Sequence, residues 1–173
     1  MTMTSHLLFL SPAHGVLQFL RCVAARRVVL RAAARNVGQQ VDILSASTIR
    51  EIDAAFARLA QMRVDALLVA ADPVFFNRAS QLVVLATRHA IPALYSRREF
   101  VAVGGLMSYG PTSDESYRTA GVYAGRILKG EKPGDLPIQL PTKFELVINL
   151  STARAFDIDV PATLLARADE VIE

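Results

Sequence analysis

Cysteine is almost absent from this sequence of 173 residues. Cys22 stands alone, so no intramolecular disulfide can form and no cysteine-based metal site can be assembled. The histidines His6, His14 and His89 are scattered and provide no metal-binding pair. No apolar run reaches the roughly 18–20 residues needed to cross a bilayer, which argues against stable membrane insertion. A nucleophile elbow, a phosphate loop and a G-x-G-x-x-G turn are all missing, so no enzyme and no cofactor are expected. A small Rossmann-like enzyme is set aside for want of that glycine loop. A phospho-acceptor site at Asp72 would need further carboxylates on a neighbouring strand to hold a divalent cation, and Leu44-Ser45-Ala46 supplies none.

Negative charge is absent from one end. Residues 1–41 carry Arg21, Arg26, Arg27, Arg31 and Arg35 but no acidic residue, while the remainder carries a net charge of −2. A nucleic-acid binder concentrates positive charge on the folded face that meets phosphate, and no such face lies beyond residue 41, so nucleic acid is not an expected partner. The apolar stretch Leu7–Leu20 is interrupted by Ser11, Pro12, His14 and Gly15, and its positive charges follow it instead of preceding it. That order is wrong for a secretory signal. Arg27, Arg31 and Arg35 share one helical face, read as solvated.

What the chain does have is a supply of core residues: 52% are hydrophobic and 20% charged, enough for a folded α/β unit. Leu30–Val37 reads as a helix end capped by Gly38, followed by a strand at Val41–Leu44. Thr48-Ile49-Arg50-Glu51 is a capping box, and Ile49, Ile52, Phe56 and Leu59 recur at helical spacing. Asp65–Ala71 is a short apolar run suited to a strand covered on both faces. A helix marked by Phe75, Ala79, Leu82, Val83 and Ala86 follows, then strands at Pro92–Tyr95 and Leu106–Tyr109. A further helix, capped by Ser113 or Asp114, takes Tyr117, Ala120, Ala124, Ile127 and Leu128 as its inner face. A linker with Pro133, Pro137 and Pro141 leads to a strand at Phe144–Leu150. Ser151 is expected to cap a short helix and Pro161 to start the last one. Strands separated by helices imply a parallel sheet with helices on both faces.

In open α/β sheets, ligands sit beyond the carboxyl ends of the strands. That rule nominates the loops Asp72–Asn77, Tyr95–Glu99 and Tyr109–Ser113. Asp72 can accept from an ammonium or only cap the following helix. Tyr95 and Tyr109 can stack on a ligand or merely pack at strand ends. Arg97, Arg98 and Glu99 offer charge pairing or form a solvated turn. The Gly104-Gly105 pair is assigned to backbone geometry.

The pieces GGLMSYG, AGRILKGEKPGDLP and PTKFELVINL, in this order and spacing, resemble the C-terminal half of bacterial ABC-transporter substrate-binding proteins of the tryptophan/tyrosine type. The likeness runs from Leu30 to the end. It implies a periplasmic-binding-protein type I lobe that captures an amino acid or similar small organic solute by hinge closure and presents it to an ABC permease. Asp72, Tyr95, Glu99 and Tyr109 are the implied ligand-binding residues. The resemblance also implies a periplasmic location, whereas the chain as written carries no convincing export signal and would stay in the cytoplasm. Members of the family are roughly twice as long. The expected organisation is therefore an atypical segment 1–29, disordered or helical, and a truncated lobe 30–173 with hinge and partial first-lobe segments. Apolar surface near Tyr117–Leu128 is expected to lie uncovered. The alternative is a cytoplasmic effector-sensing regulatory domain of the same fold, against which the missing helix-turn-helix weighs.

Overall fold

The computed structural model describes residues 5–9, 32, 34–36 and 38–173. Arg27 and Arg31 of the basic helical face, and Cys22, lie outside them. The elements in chain order are β1 (Ser5–Phe9), β2 (Asp42–Ala46), α1 (Ile49–Met62), β3 (Leu67–Val69), α2 (Pro73–Phe76), α3 (Ala79–Arg88), β4 (Ala93–Tyr95), α4 (Arg98–Ala102), β5 (Met107–Pro111), α5 (Ser113–Leu128), β6 (Phe144–Asn149), α6 (Leu150–Ala155), α7 (Ala162–Leu165) and β7 (Glu170–Ile172). Among the described residues no helix is long and apolar enough to cross a membrane.

The start of α1 follows its sequence closely. Thr48 is extended, and its hydroxyl accepts from the Glu51 N–H at 3.2 Å, while the Glu51 carboxylate accepts from the Ser47 N–H at 2.6 Å. Two otherwise orphaned amides of the first turn are thereby satisfied. Ile52, Phe56 and Leu59, spaced three and four apart, are fully buried, and Ile49 stays partly exposed. They meet Leu67 and Val69 of β3, Leu82 and Ala86 of α3, and Tyr95 and Phe100 in one continuous core. Leu68, pointing to the other side of β3, joins Ile43 against Ala34 and Val41 in a second, smaller cluster.

The sheet has the order β2-β1-β3-β4-β5-β6-β7. β3, β4 and β5 pair in parallel, as the helical crossovers α2–α3 and α4 require. β1 pairs antiparallel with both β2 and β3. β5 and β6 are also antiparallel, with Pro111 opposite Phe144, and β6 and β7 run parallel. The α/β class with a parallel sheet therefore holds for the middle of the molecule, with reversed strands at its flanks. The reversal at β6 has a simple cause. The chain leaves the sheet after Pro111, runs out through α5 and the proline-rich linker, and re-enters beside its point of exit, where the Thr112 N–H donates to the Lys143 carbonyl at 3.2 Å. A strand that re-enters at the end its neighbour left must run the opposite way.

None of the residues of α5 is buried, so the face read as inner packs on nothing among the described residues, and the apolar surface expected to lie uncovered near Tyr117–Leu128 is exposed. The linker is strapped to the helix by polar contacts instead. The Tyr123 hydroxyl donates to the Pro137 carbonyl, and the Glu115 carboxylate accepts from the Thr142 hydroxyl at 2.9 Å and the Lys143 N–H at 3.1 Å. Two smaller differences concern caps and ends. α6 is capped by Asn149, whose side chain accepts from the Thr152 N–H at 2.9 Å, and not by Ser151. Pro161 precedes the last helix, α7, as expected, and an unforeseen strand, β7, follows it. Ser5–Phe9 form a strand, within the segment expected to be disordered or helical.

Candidate functional site

Parallel pairing sets the carboxyl ends of β3 and β4 side by side, so the segments that follow them open on one edge of the sheet. After β3 the chain continues through Ala70 and Ala71 to Asp72. Asp72 is buried and caps α2, its Oδ1 accepting from the Val74 N–H at 2.9 Å, with Pro73 in the first helical position. This turn sends Phe75 into the core and leaves Phe76 partly exposed on the outside. After β4, Ser96 and the extended Arg97 lead into α4. The Arg97 guanidinium lies over the Phe76 ring, 5.1 Å from its centre.

These two segments, with Tyr117 from α5, surround a hollow of about 380 Å³ lined by Ala70, Ala71, Asp72, Pro73, Phe76, Ser96, Arg97, Phe100 and Tyr117. Among the described residues its walls hold one carboxylate (Asp72), one guanidinium (Arg97), two hydroxyls (Ser96 and Tyr117) and three aromatic rings (Phe76, Phe100 and Tyr117). A zwitterion with an apolar or aromatic side chain matches that arrangement: Arg97 suits a carboxylate, Asp72 an ammonium, and the rings a flat apolar group. A larger groove of about 850 Å³ runs between α5 and linker residues 138–142, but among the described residues Glu115 is the only charged group lining it, and that carboxylate is already committed to Thr142 and Lys143.

The placement of β5 tightens the site. A Cβ on Gly110 would fall 2.0 Å from the Ser96 carbonyl oxygen, so β5 can pass the Ser96 turn only without a side chain there. Gly105 is similarly confined, between the Phe100 carbonyl and the Tyr95 ring, and Gly104 adopts φ +99°. The Gly104-Gly105 pair thus answers to backbone packing.

Of the residues expected at the site, Asp72 lines the hollow. Tyr95 does not, and this corrects the expectation. Alternation along β4 turns its ring away from the side taken by Ser96 and into the core, stacked on Phe100 at 4.7 Å. Burial pushes its phenol well above the ordinary value of 10.0, so it stays neutral. Glu99 sits in the first turn of α4 beside the hollow without lining it. Its Oε1 accepts from the Ser113 hydroxyl at 3.0 Å and lies 3.9 Å from Arg97 Nη1, while its Oε2 is buried with no hydrogen-bond partner among the described residues. Tyr109 is exposed and stacks on Phe144 at 5.7 Å, outside the hollow. Two of the three nominated loops therefore converge. Phe76, Ser96 and Arg97 lie within those loops, but Tyr117 lies on a helix beyond them, and its spacing marks an apolar face without relating it to the hollow.

The model of the ABC transporter substrate binding protein family matches residues 22–172. A tyrosine-binding protein of Clostridioides difficile (strain R20291) is 28% identical over 112 residues, covering 65% of this chain and 32% of that protein. The crystal structure of an ABC domain in complex with L-Trp, from Streptococcus pneumonia, superposes with a TM-score of 0.77 at 26% identity, over 86% of this chain and 51% of that one. A conserved domain protein from Vibrio cholerae O1 biovar eltor has the same fold, with a TM-score of 0.74 at 22% identity, over 85% of this chain and 49% of that one. The chain spans about half the length of these solved proteins and about a third of the curated relative. Nothing in these matches supports the effector-sensing regulatory alternative.

Proposed function

The chain belongs to the ABC transporter substrate binding protein family, and on that premise we propose that it forms one wall of a cleft that captures a free amino acid with an aromatic side chain. The solute is held and released unchanged to an ABC permease, on the outer side of the cytoplasmic membrane. The observation that carries this reading is the meeting of Asp72, Arg97, Phe76 and Tyr117 around one hollow of about 380 Å³. Opposite charges at its rim fit the two ends of an α-amino acid, and the size falls in the usual range for small-molecule sites of about 300–1,000 Å³. The planar Arg97 fork can meet a carboxylate with two parallel hydrogen bonds. Phe76 lies under that guanidinium, and the Glu99 carboxylate stands 3.9 Å from its Nη1.

In this reading Asp72 receives the ammonium group, Ser96 and Arg97 the carboxylate, and Phe76 and Tyr117 the aromatic side chain. Glu99 is a positioning residue that ties Arg97 to the start of α5 through Ser113. Tyr95 shapes the floor from beneath, and Tyr109 takes no part. The names of two relatives point the same way, one a tyrosine-binding protein and the other solved with L-Trp. The chain corresponds to about half of each solved relative, so the reading assigns it half of a two-lobed cleft, with residues 30–173 as the second lobe and its hinge.

Ligand-observed NMR with free tryptophan, tyrosine and phenylalanine tests the proposal, with alanine and glutamate as controls. Aromatic amino acids are expected to bind weakly, because one wall buries only part of the ligand surface. Arg97→Ala should weaken binding at least about tenfold, the scale of one lost charge-assisted pair. Tyr109→Ala should leave it unchanged. Equal signals from all five amino acids, or loss on Tyr109→Ala but not on Arg97→Ala, would contradict the assignment.

A further inference from the structure

Three consecutive side chains at the start of α4 reach three different elements. Arg97 lies over Phe76 of α2, Arg98 forks onto Glu170 of β7, and Glu99 accepts from Ser113 of α5. The start of this helix needs such outside anchors. α4 has only five residues, far fewer than the roughly 12–15 of a helix that stands alone, and no side chain caps it, with Arg97 extended at the cap position. Its far half is fixed by packing, since Phe100 and Val101 are buried and the Phe100 carbonyl accepts from the Gly105 N–H at 2.8 Å. The near half, which carries Arg97, depends on charged side chains.

We infer that Glu170 is a positioning residue for solute recognition: by gripping Arg98 it fixes the start of α4, and with it the adjoining Arg97 that meets the solute carboxylate. The inference rests on the solute reading above and adds the C-terminal strand to it. The grip is two-pronged. Arg98 Nη2 donates to Glu170 Oε1 at 2.7 Å and to Oε2 at 2.6 Å, and Arg98 Nε donates to Oε2 at 3.1 Å. A planar fork on a carboxylate sets direction as well as distance. Glu170 is itself firmly held. Val147 of β6 is its ladder partner, and the preceding Asp169 is tied to Leu146 twice. The Asp169 N–H donates to the Leu146 carbonyl at 2.9 Å, and its Oδ2 accepts from the Leu146 N–H at 2.8 Å.

The sign of the effect separates this role from two simpler ones. Glu170 is an anion held beside a site for an anion, so its charge alone opposes solute capture, and neutralising it would strengthen binding. Positioning requires the reverse, because an Arg97 that is no longer held in place must be ordered when the carboxylate arrives. A general loosening of the fold would weaken every ligand alike, whereas a defect that passes through Arg97 touches only ligands with a carboxylate. Both side chains of the grip are more than a third exposed, so the effect is modest, up to about fivefold in an equilibrium constant.

Ligand-observed NMR of the full chain with tryptophan and with tryptophanamide, which keeps the ring and the ammonium but lacks the carboxylate, reads both contrasts. Glu170→Gln should weaken tryptophan about threefold to fivefold and leave tryptophanamide unchanged, with a thermal melt close to that of wild type. Arg98→Ala should also weaken tryptophan, and the double variant should be no weaker than Arg98→Ala alone, because the two side chains act as a unit. Tryptophan binding that is unchanged or tighter in Glu170→Gln overturns the inference, as does an equal loss for tryptophanamide. Arg97→Ala keeps the two levels apart. If it weakens tryptophan and Glu170→Gln does not, only the role of Glu170 falls; if it has no effect, the solute reading falls and takes this inference with it.

Discussion

At Gly110 a single methyl group should have its largest effect on this molecule. The Cβ of an alanine there would stand 2.0 Å from the Ser96 carbonyl oxygen and 2.9 Å from its carbonyl carbon. Both are backbone atoms, so no side chain can swing aside. Relief requires β5 or the Ser96 turn to move by more than an ångström, in a sheet held on one side by β4 and on the other by β6. Gly110→Ala should cost about 3 kcal/mol, the upper part of the range for overpacking, out of a total stability of about 5–15 kcal/mol. With a urea slope of about 2 kcal/mol/M, the midpoint falls by about 1.5 M. The same shift displaces Ser96 and Arg97, so amino-acid binding should weaken alongside stability. Gly125→Ala is the matched control. Its new methyl meets nothing within 4 Å, and alanine is favoured in a helix by up to about 1 kcal/mol, so this variant should be slightly more stable. Urea melts followed by circular dichroism compare the two. A Gly110→Ala midpoint equal to wild type would show that β5 does not pass the Ser96 turn as described.

Three other outcomes follow from local geometry. Asp72→Ala should lose about 1 kcal/mol with its helix cap, whereas Asp72→Asn keeps an acceptor for the Val74 N–H and should hold stability while losing most affinity for amino acids; equal binding by the Asn variant would remove Asp72 from the solute site. Tyr95 is kept neutral in the folded chain, so folded and unfolded states carry the same charge below pH 10.0 and stability there is unaffected by its ionisation. Above that pH the unfolded chain alone gives up the proton and stability falls, by up to about 1.4 kcal/mol per pH unit. Tyr95→Phe should flatten this alkaline decline in melts at rising pH, and an unchanged slope would contradict the burial argument. Arg98 grips Glu170 of β7 with contacts of 2.6 and 2.7 Å, but both side chains are more than a third exposed. Glu170→Gln should therefore cost under about 1 kcal/mol, and less at high salt.

The elements legible in the sequence were those with a local cause. The Thr48–Glu51 box and the Ile52, Phe56 and Leu59 spacing determine α1 without help from distant residues. The apolar run around Leu67–Val69 and the Asp72-Pro73 stop fix β3 and α2 in the same way. What sequence could not supply was which way a side chain faces at a strand end. Tyr95 and Ser96 are adjacent, both are plausible ligand contacts, and only the pairing of β4 with β3 and β5 decides that the serine is the one presented. Spacing announces the apolar face of Tyr117 and Leu128, but that it lies uncovered was legible only from the resemblance to longer proteins, and spacing does not show that Tyr117 reaches the hollow. The capping side chains of Asp72, an acid, and Asn149, an amide, show a related ambiguity. Either side chain can satisfy a helix start, so cap chemistry alone does not separate a structural role from a ligand-facing one.

The close meeting of Thr112 and Lys143 makes the outlying arm separable from the sheet, although its Ser113 and Tyr117 serve the hollow. Its two ends already sit as neighbours in a ladder, joined by a 3.2 Å hydrogen bond, so the β5–β6 pairing itself does not pass through the intervening residues, although Glu115 adds a bond to the Lys143 N–H. Replacing 113–142 by an Asn-Gly turn would convert the pair into an ordinary hairpin, with a shorter loop to close. Protein engineers could use the same junction in reverse, splicing a foreign binding segment between Thr112 and Lys143 without disturbing the sheet that carries it.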